Sequence, residues 1–130
     1  MNSDRPGWDE YFIGVAVAVA ARADCTRRQV GAVVVDHHHR IVSTGYNGAP
    51  AGQPGCLSAC PRALSNVPPG SSYDTGAGSC IAIHAEANAL LYADGARTRG
   101  ATLYCTDEPC DGCARLIAGA GIVRLVSPVG

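Results

Sequence analysis

Apolar and polar positions divide the first third of the chain into one helix and a pair of strands. Residues 8–24 predict a helix, because bulky apolar side chains recur there at helical spacing and alanine fills much of the remainder. The bulky positions are Tyr11, Phe12, Val15 and Val19. Residues 30–35 and 41–46 predict strands, and the short polar run at 36–40 indicates a hairpin turn between them.

The last third alternates helices with strands. Helices are predicted over 83–92 and 110–119, and strands over 101–105 and 122–126. Strands separated by helices are typical of βαβ units. We therefore expect an α/β fold, a three-layer α/β/α sandwich around a mixed sheet of four to five strands. Residues 47–80 show almost no periodicity, and a loop of this length is usually functional or tied down.

Length, charge and cysteine content narrow the class of protein. The chain has 130 residues, which predicts a single domain over 1–130. Its formal net charge of −1 argues against a nucleic-acid channel, which leaves a strongly basic footprint. No apolar run reaches the roughly 18 to 20 residues of a membrane span, so we expect no membrane partner. Seven cysteines without an export signal favour metal binding in a reducing compartment, the cytoplasm, over disulfides.

Two segments carry the chemistry. His84-Ala85-Glu86 supplies an imidazole and a carboxylate, and Pro109-Cys110-Asp111-Gly112-Cys113 supplies two thiols, the first 26 positions after the imidazole. Three ligands, His84, Cys110 and Cys113, leave a tetrahedral zinc ion one open position, as in catalytic sites. A structural zinc knuckle would need a fourth ligand, and neither segment offers an obvious one. The combination matches the H-x-E…P-C-x-x-C signature of zinc-dependent nucleobase deaminases.

Glu86 is the predicted catalytic acid–base. A carboxylate two residues after a zinc ligand is placed to take a proton from the attacking water and to return one to departing ammonia. The ordinary alternative is a solvated helix carboxylate. Cys110 is predicted at a helix start behind Pro109, where the helix dipole favours a thiolate.

Five stretches in order along the chain resemble the deoxycytidylate (dCMP) deaminases of the cytidine-deaminase-like superfamily. They are Trp8-Asp9-Glu10-Tyr11-Phe12, Gln29-Val30-Gly31-Ala32, Gly45-Tyr46-Asn47-Gly48-Ala49-Pro50, His84-Ala85-Glu86-Ala87-Asn88-Ala89, and Glu108-Pro109-Cys110 through Cys113-Ala114. The zinc segments alone indicate only the superfamily, and the first and third stretches narrow it to the dCMP branch. The resemblance implies a zinc ion between two helix N-termini and hydrolysis of dCMP to dUMP and ammonia.

The same resemblance implies which residues bind the substrate. Asn47 would contact the sugar, and Arg22, Arg27 and Arg28 lie near the place where the family handles the phosphate, with Arg22 the preferred candidate. Arginine suits a phosphate because its planar fork binds two oxygens. The plain alternatives are a turn residue for Asn47 and surface charges for the arginines. A homo-oligomer acting on a small nucleotide is expected.

Other assignments stay open at this point. Cys56, Cys60 and Cys80 would hold a second, structural zinc if a fourth ligand exists, or they are simply buried thiols. The histidine run at 37–39 is better explained by a solvated turn than by a metal site. The substrate could instead be CMP, a modified cytosine nucleotide or a nucleoside. Deamination of a base within a nucleic-acid strand, and a non-catalytic zinc module on the same fold, are the remaining alternatives.

Overall fold

A computed structural model of the protein describes residues 5–23, 28–48 and 83–128. Eight elements follow one another within these ranges. They are α1 (Trp8–Ala20), β1 (Gly31–Val35), β2 (Ile41–Tyr46), α2 (Ala85–Leu91), α3 (Gly95–Thr98), β3 (Thr102–Cys105), α4 (Asp111–Gly119) and β4 (Arg124–Val126). In this part of the chain, no helix is long and apolar enough to cross a membrane.

The strands form one mixed sheet in the order β2-β1-β3-β4. β1 runs antiparallel to both β2 and β3, whereas β3 and β4 are parallel. The hairpin turn after β1 is closed by the Asp36 carboxylate, which accepts hydrogen bonds from the backbone N–H groups of His38 and Arg40. The predicted mixed sheet and hairpin are therefore confirmed.

Alternate residues of the central strands point to opposite faces and form two separate cores. One face packs against α1 and is built from Phe12, Ala16, Val33, Val35 and Tyr104. The other face packs against α2 and α4 and is built from mostly smaller side chains. Its members are Val30, Ala32, Val34, Ala85, Ala89, Ala101, Leu103, Cys105 and Ile117. The three predicted layers are thus α1, the sheet, and the pair α2 and α4.

Two strand glycines let a helix lie against the sheet on each face. A Cβ added to Gly31 would stand 2.0 Å from the carbonyl oxygen of Ala16 in α1. A Cβ added to Gly45 would stand 2.4 Å from the carbonyl oxygen of Ala85 in α2. Both distances are far below van der Waals contact, so the close approach of each helix depends on the missing side chain.

Several element ends differ from the sequence expectation. α1 ends at Ala20, and residues 21–23 lie outside the helix. The predicted helix was longer because the apolar run contains no residue that marks a C-terminus. α2 begins at Ala85 rather than at 83, and α4 begins at Asp111 rather than at 110. β4 is shorter than predicted, and the four residues of α3, capped by the Asp94 carboxylate, are too few to show a period.

Candidate metal and catalytic centre

His84 is the N-cap of α2, and the strand end beside it fixes its place. Gly48, just beyond β2, and Ile83 exchange two backbone hydrogen bonds, of 3.2 and 2.8 Å. α2 is further tied to β2, because the Asn88 amide donates to the carbonyl of Tyr46. The imidazole therefore projects from a helix start whose backbone is anchored on both sides.

Cys110 and Cys113 form the first turn of α4. Cys110 is the N-cap, and its sulfur accepts a hydrogen bond from the Cys113 backbone N–H at 3.5 Å. The Cys110 side chain is exposed, whereas Cys113 is buried against the sheet side of the helix. The C-x-x-C spacing brings both sulfurs to the same helix end, because the chain turns once between them.

The three predicted ligands converge. The donor atoms of His84, Cys110 and Cys113 all lie within 4.8 Å of one another. His84 Nδ1 is 3.2 Å from the Cys113 sulfur and 3.5 Å from the Cys110 sulfur. Around a tetrahedral zinc ion, the usual metal–nitrogen and metal–sulfur bond lengths place these atoms roughly 3.5 Å apart. The donor set and its spacing therefore fit zinc, with Nδ1 as the coordinating nitrogen.

Protein groups alone do not favour a Cys113 thiolate. Burial, together with the neighbouring Glu86 carboxylate and Cys110, raises the pKa of the Cys113 thiol above its usual range. A bound cation reverses this preference, because a coordinating thiol loses its proton to the metal. The buried sulfur is therefore suited to act as a ligand rather than as a free nucleophile.

Glu86 lies in the first turn of α2, and its side chain is not solvated. Only 5% of the residue is exposed, and after burial itself the Glu86 carboxylate is the next cause that raises the pKa of the Cys105 and Cys113 thiols. Asp and Glu side chains are rarely this buried unless they are paired or functional, so the burial of Glu86 next to the candidate metal ligands needs a reason other than solubility. The solvated-helix alternative for Glu86 does not fit this burial.

Asn47 is buried and holds the segment before β1. Its Oδ1 accepts a hydrogen bond from the Val30 backbone N–H, and its Nδ2 donates to the Arg28 carbonyl, both at 2.7 Å. A carboxamide nitrogen carries two hydrogens, and within the described ranges only one of those of Asn47 has an acceptor, so the other is available to a ligand oxygen. The Arg28 guanidinium donates from Nε to the Asp107 carboxylate at 2.7 Å, three residues before Cys110. Asn47 thereby fixes the backbone of an arginine beside the metal-binding turn.

The remaining predicted residues are placed differently. The Arg22 guanidinium carbon is 6.0 Å from the Tyr46 ring centroid, next to Asn47. Arg27, Cys56, Cys60 and Cys80 lie outside the described residues. The three histidines at 37–39 are exposed in the hairpin turn, and the His39 ring stacks on Trp8 at a centroid distance of 4.1 Å. Among the described residues, these histidines belong to no group that could hold a metal.

Cys105 is not among the predicted site residues. It ends β3 and is fully buried, and burial together with the nearby charge of Glu86 raises the pKa of its thiol to about 12. Alternation along β3 places Cys105 on the same face as Leu103, on which α2 packs.

With this geometry in place, similarity to known proteins identifies the family. A family profile described as the cytidine and deoxycytidylate deaminase zinc-binding region matches residues 6–128. The chain is also 60% identical over 125 residues to the deoxycytidylate deaminase of Mycobacterium phage D29, covering 95% of this chain and 96% of the relative. The chain belongs to the cytidine and deoxycytidylate deaminase family.

Longer relatives and solved structures agree with this deaminase assignment. The deoxycytidylate deaminase of Schizosaccharomyces pombe is 42% identical over 96% of this chain, which spans only 38% of that relative. A crystal structure of the dCMP deaminase from cyanophage S-TIM5, in complex with dCMP and dUMP, superposes with a TM-score of 0.71 at 28% identity, covering 95% of this chain and 82% of that one. The expected cytidine-deaminase-like fold is therefore confirmed.

Proposed function

We propose that this chain hydrolyses dCMP to dUMP and ammonia in a zinc-dependent reaction. The observation that carries the proposal is the convergence of His84, Cys110 and Cys113 beside the buried carboxylate of Glu86. The relative from Mycobacterium phage D29 is named deoxycytidylate deaminase, and the cyanophage enzyme was crystallised in complex with dCMP and dUMP. A non-catalytic zinc module would have no use for a buried carboxylate at this position.

The chain's own residues account for binding and proton movement. Zinc, when bound by three protein ligands, supplies Lewis acidity and lowers the pKa of water. The Glu86 carboxylate takes a proton from the attacking water and delivers it to the ring nitrogen of cytosine. It then takes the proton of the newly added hydroxyl and delivers it to the amino group, which leaves as ammonia while the C=O bond of uracil forms. Its burial keeps the carboxylate from exchanging protons with bulk solvent, so the same group can serve each transfer. The free Nδ2 hydrogen of Asn47 is the donor that we assign to the sugar.

The phosphate is assigned to the arginines around Asn47. Arg28 pairs with Asp107, three residues before Cys110, and the Arg22 guanidinium carbon lies 6.0 Å from the ring of Tyr46, the residue before Asn47. A hydrogen bond from a cation to a charged group contributes about 1.5–3 kcal/mol. Since each 1.4 kcal/mol is about tenfold, deoxycytidine should be the poorer substrate by roughly 10–100-fold in kcat/KM.

The deciding experiment measures ammonia release by the zinc-loaded protein from cytosine, adenine and guanine nucleosides and nucleotides. We expect dCMP to give the highest kcat/KM, ahead of CMP and deoxycytidine. Equal values for dCMP and deoxycytidine would move the chain to the nucleoside deaminases. Turnover of a cytosine only within an oligonucleotide would favour the nucleic-acid alternative, which the net charge of −1 disfavours.

Matched arginine variants locate the phosphate contact. Arg22→Ala and Arg28→Ala should each be compared with Arg40→Ala, which lies in the hairpin turn at the other end of β1 and β2. The responsible variant should lose most of the preference for dCMP over deoxycytidine and keep its turnover of deoxycytidine. If neither variant changes this ratio, the phosphate is bound elsewhere.

Two further expectations accompany the proposal. A homo-oligomer is expected, and light scattering that gives a monomer mass at micromolar concentration would contradict it.

We assign the activity to the cytoplasm, because thiols must stay reduced to bind zinc, and Cys110 and Cys113 are both free. Cell fractionation followed by assay of dCMP turnover tests this location.

A further inference from the structure

The segment that leads into β1 and the loop that leads into α4 meet at two adjacent points. Thr106, the first residue after β3, donates its backbone N–H to the Gly31 carbonyl at 3.0 Å, and its hydroxyl accepts from the Gly31 N–H at 3.1 Å. The next residue, Asp107, accepts from Arg28 at one carboxylate oxygen, from Nε at 2.7 Å and from Nη2 at 2.6 Å. These contacts hold together residues that lie 75 and 79 positions apart in the chain.

Backbone contacts fix both ends of the ion pair between Arg28 and Asp107. The second carboxylate oxygen of Asp107 accepts from the backbone N–H of Glu108 at 3.2 Å. On the other side, the carbonyl of Arg28 accepts from Nδ2 of Asn47 at 2.7 Å, and Asn47 itself is buried. The pair therefore connects a buried residue at the end of β2 to the loop that ends in Cys110.

The distance along the chain from this ion pair to the metal ligands is short. Only Glu108 and Pro109 separate Asp107 from Cys110, and the proline ring fixes one of the backbone torsions between them. Cys110 is the N-cap of α4 and is exposed, so the position of its sulfur depends on the backbone on either side rather than on packing. A shift of Asp107 would therefore move the Cys110 sulfur.

A contribution to overall stability does not explain this ion pair. The side chains of Arg28 and Asp107 are 41% and 42% exposed, and water screens pairs that are this exposed, so they add little to the free energy of unfolding. The pair between Arg97 and Asp36, beside the hairpin turn, offers a comparison that lies away from the metal ligands.

We propose that Arg28 and Asp107 are positioning residues, whose ion pair holds the loop before α4 so that Cys110 meets His84 and Cys113 at the spacing that zinc requires. The inference rests on the proposed function, because it deepens the metal site of that reaction. Neither side chain of the pair is assigned a contact with zinc or with the reacting atoms, so both act through Cys110.

Zinc affinity measured by competition with a chromophoric chelator tests this role without any substrate. In Arg28→Ala and in Asp107→Ala, zinc affinity should fall about fivefold, the upper range for an exposed ion pair. The melting temperature of the metal-free protein should stay close to wild type. The double variant should lose no more than either single variant, because both remove the same interaction. Arg28→Lys keeps a cation and should lie between wild type and Arg28→Ala.

Two control variants separate positioning from a general effect of charge. Glu108→Gln removes a neighbouring exposed charge and leaves the ion pair intact, and Arg97→Ala breaks the comparison pair. Both should keep the zinc affinity of the wild type. Unchanged zinc affinity in Asp107→Ala, additive losses in the double variant, or an equal loss in Glu108→Gln would each overturn the proposal. So would a melting temperature that falls in parallel with zinc affinity.

Turnover separates this role of Arg28 from a contact with the phosphate. With free zinc held near the wild-type dissociation constant, Asp107→Ala should lose the same proportion of turnover with dCMP and with deoxycytidine, and excess zinc should restore both. A loss confined to dCMP that zinc does not restore would show that the pair serves the phosphate instead, against the proposal. Failure of the proposed function is recognised separately, because the zinc-loaded wild type would then release no ammonia from dCMP whatever the zinc affinities show.

Discussion

The two faces of the sheet are formed by the same strands, but they differ in side-chain size and in the titratable groups that they bury. Towards α1, the core contains the largest side chains, Phe12 and Tyr104 among them, and its polar groups are confined to the edge. Towards α2 and α4, the core is built from small residues, and it buries Glu86 and the sulfurs of Cys105 and Cys113. One face is therefore mainly a stabilising core, whereas the other holds titratable groups where stability alone would favour apolar ones.

Polar groups on the α1 face pair with each other near the surface. The Tyr104 hydroxyl donates to the Asp9 carboxylate at 2.7 Å, and Arg124 of β4 donates to the same carboxylate from two nitrogens. This network ties the sheet edge to the N-terminus of α1 and touches none of the metal ligands. On the opposite face, the polar groups include the candidate zinc ligands and Glu86. If the two faces have these separate roles, substitutions on the α2 face should change catalysis, and substitutions on the α1 face should change stability alone.

Removing one zinc ligand should eliminate the activity. In Cys113→Ser, a weaker ligand replaces the buried thiol while the first turn of α4 keeps a side chain of similar shape. We expect one zinc ion fewer per chain than in the wild type, together with loss of measurable ammonia release from dCMP. Metal analysis of the purified protein and circular dichroism provide the measurements. Full zinc content with unchanged turnover would show that Cys113 is not a zinc ligand.

Replacing the buried carboxylate should leave the fold and the metal in place. Glu86→Gln preserves size but cannot carry a proton, and general acid–base catalysis contributes about 10²–10⁴-fold. Because one carboxylate serves several transfers, we expect kcat to fall by about 10⁴-fold or more, with zinc content and melting temperature close to wild type. A variant within tenfold of the wild-type kcat would show that another group moves the protons.

A pair of glycine substitutions compares the two faces directly. Gly31→Ala would push its Cβ against the backbone of α1, and Gly45→Ala would push its Cβ against the backbone of α2 at Ala85 and Ala89. Overpacking typically costs about 1–3 kcal/mol, and contact with backbone atoms places both variants at the upper end or beyond. Chemical denaturation should show both losses in the free energy of unfolding.

Only the α2 variant should also damage the site. Ala85 lies between His84 and Glu86, so a displaced α2 moves a zinc ligand and the acid–base together. We expect zinc affinity and kcat per folded molecule to fall in Gly45→Ala and to stay near wild type in Gly31→Ala. Equal damage to the site from both substitutions would mean that the two faces are not independent.

The three metal ligands predicted from the sequence have donor atoms that lie together in the structure, whereas the boundaries of several elements differ from the prediction. Metal ligands at fixed spacing, as in Cys110 and Cys113, identify chemistry even when the helix start is misplaced by a residue. By contrast, the end of α1 depends on where packing against β1 stops, and its apolar run carries no capping residue that marks this position. The ion pair between Arg28 and Asp107 joins two segments that lie far apart in the chain, so only the folded structure brings it into view.

The smallest expected effect concerns the ion pair on the α1 face. Hydrogen bonds from Arg124 and Tyr104 lower the pKa of Asp9 to about 2, below the value near 3.9 of an unfolded chain. A lowered folded-state pKa contributes stability that is present above the unfolded value and is lost as the pH falls through the folded value. The side chains of Asp9 and Arg124 are 44% and 52% exposed, so solvent screening limits the contribution to about 0.5–1 kcal/mol.

Asp9→Asn should therefore lower the free energy of unfolding slightly at pH 7, with a difference from wild type that shrinks between about pH 4 and pH 2. Glu10→Gln is the matched control, since this exposed neighbour in the same helical turn has no partner among the described residues. Urea denaturation across this pH range, with dCMP turnover measured at pH 7, makes the comparison. A pH-independent difference would mean that the Asp9 charge contributes nothing, and a loss of turnover in Asp9→Asn would show that the α1 face is coupled to the metal site.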